Sequence, residues 1–151
     1  MAEDSPSVGE RPRWRYRFDN YHRAFVLLRE AMELLAERSL TPLEREGIIQ
    51  RFEYSWELAW KTLADFLVHQ GIMVPAVSPR TVLRAAYESG FVTRGEDWMA
   101  ALDARNKMSH TYDLRQFEAV IVQIRERFFS LFEELHDMLL SEAVRTDAGS
   151  D

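Results

Sequence analysis

The chain has no cysteine at all. That excludes a disulfide framework, a thiol nucleophile and thiolate metal sites. Glycine and proline are also scarce, at 6 and 5 of 151 residues, while 46% of residues are hydrophobic. Such a balance favours long helices over turn-rich β structure. No apolar run approaches the roughly 20 residues that a membrane span needs. The first residues, MAEDSPSVGERPRWRYRF, contain no apolar core and do not read as a secretory signal. A cytoplasmic protein is the expectation. Net positive charge is missing too, the formal balance being −6. General nucleic-acid binding rests on neutralising phosphates, so any such contact in this chain has to be local.

What is present is helical periodicity. Residues 1–13, with Pro6, Gly9 and Pro12, read as a flexible lead, 14–140 as one helical domain, and 141–151 as a disordered tail. A first helix is expected from Asp19 or Asn20 to Arg38, with Phe25, Leu28, Met32 and Leu35 on one face. A second begins at Thr41-Pro42-Leu43-Glu44, where Thr41 caps, Pro42 suits the first position and Glu44 completes a capping box. It runs to Gln70, and Gly71 supplies a left-handed stop. Ile49, Phe52, Trp56, Ala59, Leu63 and Phe66 or Leu67 form its core stripe. A third helix is expected from Ser78-Pro79 to Gly90, and a fourth from Thr93, with Glu96 as its box partner. A fifth starts at Asp113, with Gln116 as box partner, and ends near Leu140. No segment alternates with period two. The fold class is therefore all-α: an antiparallel up-and-down four-helix bundle with an extra short helix. The aromatics Trp56, Trp60, Phe66, Trp98, Phe128, Phe129 and Phe132 exceed what a thin bundle core requires, which favours dimerisation through helix faces.

The chemistry concentrates at the exit of the fourth helix. Arg105 follows Trp98 by seven residues and Leu102 by three, so it lies on the apolar stripe and needs a partner. Glu53 or Glu57 could supply a structural salt bridge. Glu53, Glu57 and Lys61 share one face of the second helix, which reads either as a solvated charge run or as the device that aims Arg105. His110 would diverge from Arg105 by about 140° in a continuous helix. With Asp113 capping the next helix, however, His110 and Tyr112 fall in the turn and can swing back. With Lys107, the segment forms a basic island on an acidic protein. A guanidinium beside an imidazole suits phosphate handling, because one grips oxygens and the other moves protons near neutral pH. Taken alone, His110 reads first as a capping or hydrogen-bonding turn residue, and Tyr112 as a half-buried plug at the bundle end. No His stands at ligand spacing from the carboxylates, so no metal site is expected. His22, His69 and His136 receive no role, and Trp56 and Trp60 read as core or interface.

Arg105-x4-His110-x-Tyr112 matches the R-x4-H-x-Y signature of HepT-like HEPN proteins (higher eukaryotes and prokaryotes nucleotide-binding). Three blocks in order extend the likeness: Gln50 to Lys61 (QRFEYSWELAWK), Ser78-Pro79-Arg80, and Arg105 to Asp113 (RNKMSHTYD). Over about residues 19–140 the chain resembles the nucleotidyltransferase substrate-binding proteins. The resemblance implies a dimerising helical bundle that pairs with a minimal nucleotidyltransferase encoded as another chain. It implies one of two activities. In the first, the chain is a metal-independent ribonuclease toxin, with Arg105 binding phosphate, His110 as acid/base and Asn106 orienting the site. Glu53, Glu57, Lys107 and Ser109 support them, and AMP transfer to Tyr112 silences the activity. In the second, the chain only binds a nucleotide or substrate for its partner. A purely structural dimerisation subunit is the remaining alternative. No cofactor is implied, AMP or ATP entering only through the partner. RNA is a possible partner and a membrane is not. This sequence has no nucleotidyltransferase signature of its own.

Overall fold

A computed structural model describes residues 11–109 and 113–149. The order is α1 (Arg13–Glu37), α2 (Pro42–His69), α3 (Pro79–Glu88), α4 (Gly95–Met108) and α5 (Leu114–Gln123). A π-helical turn, Ile124–Phe128, then carries α5 without a break into α6 (Phe129–Gly149). Among the described residues there is no strand, and no helix is long and apolar enough to cross a membrane.

Side-chain pairings set the topology. Trp14 at the start of α1 meets Phe66 near the end of α2, and Ser55 Oγ donates to Ala24 O farther along, so α1 and α2 are antiparallel. Tyr21 Oη donates to Phe132 O at 2.7 Å, and Arg15 pairs with Asp147, so α1 is antiparallel to the last helix as well. Asp97 on α4 binds Arg127, and Trp98 packs edge-on against Phe132 at 5.9 Å. The result is an all-α up-and-down bundle, with the short α3 bridging α2 and α4.

The caps follow local chemistry. Thr41 accepts from Glu44 N while Glu44 accepts from Thr41 N, the reciprocal box read from the sequence. Ser78 and Thr81 form the same box on α3. Gly71 and Gly90 end α2 and α3 at φ +80° and +81°, a conformation that costs glycine little. The α2 stripe from Ile49 to Leu67 is buried throughout, as are Ile121, Ile124, Phe128, Leu131 and Leu135.

Four expectations need correction. First, α1 starts at Arg13, not near Asp19. Trp14 is buried against Phe66, and Arg11, Arg15 and Arg17 are tied to Asp19, Asp147 and Asp65. These anchors hold a turn that lacks a sequence cap. Second, α4 is not capped by Thr93. Its N-cap is Arg94, in the left-handed region at φ 58° and ψ 48°. The Arg94 guanidinium donates to Asp97 Oδ2 (3.0 Å), Ser130 Oγ (2.8 Å), Glu134 Oε2 (3.1 Å) and Arg127 O (3.2 Å). Those bonds outweigh a backbone cost of about 1–2 kcal/mol. Arg127 O belongs to the π turn, where the widened ladder weakens the ordinary helical pairing. Third, α6 runs past Leu140 to Gly149, with Ala143 buried, where the sequence suggested a tail. Fourth, the aromatic surplus is consumed inside one chain. Trp56, Phe66, Trp98, Phe128 and Phe132 are buried, and only Trp60 and Phe129 are half-buried. The aromatics therefore no longer argue for a second copy.

Candidate functional site

Arg105 lies in the last turn of α4, where the negative end of the helix dipole favours a cation. Its stripe-mates Trp98 and Leu102 are buried, which draws Arg105 against α2. The guanidinium is half-buried, with 34% of the side chain exposed, so it stays reachable from solvent. Its Nη2 donates to Glu57 Oε1 at 3.3 Å. Of the two candidate carboxylates, Glu57 is the one that bonds. The Arg105 Nε is buried without a hydrogen-bond partner among the described residues.

Glu57 is shared. Its Oε2 accepts from Trp60 Nε1 at 3.2 Å and lies 3.3 Å from Lys61 Nζ. The solvated pair and the aiming pair read from the sequence thus coexist on one carboxylate. Glu53, one turn earlier, is half-buried. Burial pushes its carboxyl above the usual range, and the nearby Arg105 charge pulls the other way. Glu53 therefore faces Arg105 electrostatically without the bond that Glu57 makes.

Asn106 and Lys107 are exposed on the outer side of α4's last turn. Ser109 is the C-cap, and its Oγ donates to Arg105 O at 3.2 Å, satisfying a carbonyl at the helix end. The structure thus brings Arg105, Glu57 and Glu53 together and holds Ser109 on the Arg105 backbone. His110 and Tyr112 lie outside the described residues. The segment that carries them is bounded by Ser109 and by Asp113, whose Oδ1 accepts from Arg115 N at 2.9 Å and caps α5.

Trp60 was missed as part of this cluster. The signal was present in the spacing: residues three and four apart on a helix are neighbours, so Glu57 reaches both Trp60 and Lys61. A second missed pairing lies at the other side of the bundle. His22 Nδ1 and His136 Nε2 are 2.8 Å apart, with His136 stacked on Phe25 at 4.5 Å.

An open groove of about 820 Å³ runs between α4 and α5, on a face of α4 that includes Lys107 but not Arg105, lined by Asp103, Ala104, Lys107, Gln116 and Val120 among others. Among the described residues that line it, Lys107 is the one cation. The site's chemistry is therefore a partly exposed guanidinium held from behind by a carboxylate, with further positive charge and polar donors at the rim. That arrangement suits an anion approaching from solvent.

Comparison with known proteins adds three findings. Residues 16–141 match the family described as nucleotidyltransferase substrate binding protein like. A protein of Haemophilus influenzae called "Probable ribonuclease HepT" is 36% identical over 81 residues, which are 52% of this chain and 56% of that protein. The match thus spans little more than half the length of that relative. A crystal structure of a Thermus thermophilus protein superposes with a TM-score of 0.67 at 29% identity, covering 76% of this chain and 94% of that one.

Proposed function

The chain belongs to the nucleotidyltransferase substrate-binding-like family, and from that membership we propose that it is the helical HEPN subunit of a two-component nucleotidyltransferase system. In this reading it is a metal-independent endoribonuclease. Its Arg105 holds the scissile phosphate. His110 takes the 2′-hydroxyl proton or protonates the leaving 5′-oxygen, and Asn106 orients the site. The observation that carries the reading is the one-point hold on Arg105. Glu57 engages Nη2 alone, on a side chain that is one-third exposed, and with Nε buried the other terminal nitrogen, Nη1, is left for a phosphate. The name of the Haemophilus influenzae relative supports the same class of activity.

Tyr112 is proposed as the switch. AMP transferred there by a separate nucleotidyltransferase chain adds bulk and negative charge seven residues from Arg105, which would compete with RNA for the cation. A homodimer would place two such islands along one strand. The test is incubation of purified protein and its His110→Ala variant with RNA under EDTA, with intact mass confirming that Tyr112 is unmodified. The wild type cleaves and the variant does not. Absence of cleavage by both sinks the reading.

The family description favours a second reading, a subunit that only binds a substrate or nucleotide for its partner. It predicts ligand-induced thermal stabilisation that Arg105→Ala abolishes, without any RNA cleavage.

A further inference from the structure

Glu57 and Trp60 both stand in the block from Gln50 to Lys61 that carries part of the resemblance, yet Trp60 has no part in the proposed activity. The geometry asks more of Trp60 than packing does. The ring is half-buried and packs on the core. Its N–H points neither to water nor to the backbone but to Glu57 Oε2, at 3.2 Å. The same oxygen lies 3.3 Å from Lys61 Nζ, while the other oxygen takes Arg105 Nη2 at 3.3 Å. One carboxylate thus meets three donors.

The consequence is a matter of geometry. A carboxylate with both oxygens free closes on a guanidinium in the two-point fork that arginine prefers. Here Oε2 is turned toward Trp60 and Lys61, so Glu57 presents one oxygen to Arg105 and meets it through a single nitrogen. Lys61 cannot set this alone, because its ammonium is on a flexible stem and 41% exposed. An indole has only two side-chain torsions, and this one is wedged against the core.

We propose that Trp60 is a positioning residue for Arg105. Its N–H holds Glu57 Oε2, Glu57 then grips Arg105 by Nη2 alone, and the outer nitrogen Nη1 of the guanidinium is left to face a phosphate of single-stranded RNA. The inference rests on the reading of Arg105 as the phosphate-holding group. Without the indole donor, Glu57 turns to take the guanidinium at two points, and Arg105 loses its hold on phosphate.

Trp60→Phe keeps the ring and removes the donor. Affinity for a 2′-O-methylated single-stranded RNA, which cannot be cleaved through its 2′-oxygen, is measured under EDTA for wild type, Trp60→Phe, Arg105→Ala and the double variant. Trp60→Phe is expected to weaken binding about fivefold, the scale of one net hydrogen bond, and to weaken it no further in the Arg105→Ala background. That non-additivity separates positioning from a general structural role, whose effect would add. Wild-type affinity in Trp60→Phe, or a loss that adds in full to that of Arg105→Ala, overturns the inference and leaves the reading of Arg105 standing. Binding by Arg105→Ala equal to wild type, or no binding by the wild type, overturns that reading and the inference with it. Should Trp60→Phe fail to fold, Trp60→Met, which also removes the N–H donor and keeps an apolar side chain on the core, goes through the same cycle with the same expectation.

Discussion

Arg105 and Glu57, 48 residues apart in sequence, meet through one hydrogen bond of 3.3 Å between the last turn of α4 and the middle of α2. This contact ties the chemistry of the motif to the packing of the bundle. Glu57→Ala leaves a half-buried guanidinium without that carboxylate. The expected loss of stability is about 1 kcal/mol, because partial exposure lets water replace part of the bond. Urea denaturation of Glu57→Ala, Arg105→Ala and the double variant checks it. The double variant should lose less than the sum of the two single losses, since the bond the two residues share can be lost only once. A fully additive pair of losses would mean the two residues stabilise the bundle independently.

Glu53 is expected to oppose folding at neutral pH. Burial raises its carboxyl above the ordinary value of 4.5, with Arg105 offsetting part of the effect. The folded state therefore holds the Glu53 proton more tightly than the unfolded state does. By linkage, its contribution to stability is full below about pH 4.5 and lost as pH rises through the folded pKa. Glu53→Gln should raise the Tm at pH 7, and the gain should vanish in acid. A gain that persists unchanged in acid would trace to packing rather than ionisation.

The bond between His22 and His136 predicts the opposite dependence. Two imidazoles 2.8 Å apart need one free lone pair, so the bond is lost when both carry protons. Burial first, then the His22 and Arg29 charges, hold His136 below its ordinary 6.5, while Asp137 pulls it up. Phe18, Tyr21 and Phe25 supply the aromatic surround. The unfolded chain therefore takes the proton first. Stability is present above 6.5 and falls as pH drops through that value toward the lower folded pKa. Thermal unfolding followed from about pH 8 to about pH 5 should show this slope, and His136→Gln should flatten it. An unchanged slope in the variant would remove His136 as its source.

Arg94 combines a strained backbone with four side-chain bonds, so its substitutions should rank in an unusual order. Arg94→Ala keeps the left-handed conformation and loses every bond, for an expected cost of about 2 kcal/mol or more. Arg94→Gly loses the same bonds but relieves the strain, recovering about 1 kcal/mol. Denaturant midpoints should therefore place glycine above alanine. The reverse order would show that the backbone strain is not felt at this position.

Much of the bundle is legible locally. The Thr41–Glu44 and Ser78–Thr81 boxes, and the stops at Gly71 and Gly90, are chemistry within a few residues. So is the heptad-like spacing from Ile49 to Leu67 that buries one face of α2. The start of α1 was not legible, because Trp14 and the arginines beside it are held by Phe66, Asp65 and Asp147, which lie far along the chain. The start of α4 was misread for a similar reason: Thr93 and Glu96 form a plausible box, but Arg94 finds its partners on α4 and α6 and takes the cap instead. At the candidate site, the stripe position of Arg105 announced that it needed a carboxylate, and both Glu53 and Glu57 were in view. Their choice depends on the offset between α2 and α4, which no local rule encodes.

The amino-acid sequence by itself determined the all-α class, most helix boundaries, the core stripes and the placing of Arg105 on an apolar face. Each of these follows from side chains that are neighbours within one or two helical turns. Only the tertiary structure decided that Glu57 takes Arg105, that Trp60 takes Glu57, that His22 finds His136 and that Arg94 bridges α4 to the π turn. Apart from the Glu57–Trp60 pair, those contacts join residues on different helices, and their distances are set by how the helices pack. Even Glu57 and Trp60, one turn apart, gain their meaning from the arginine that packing brings to them.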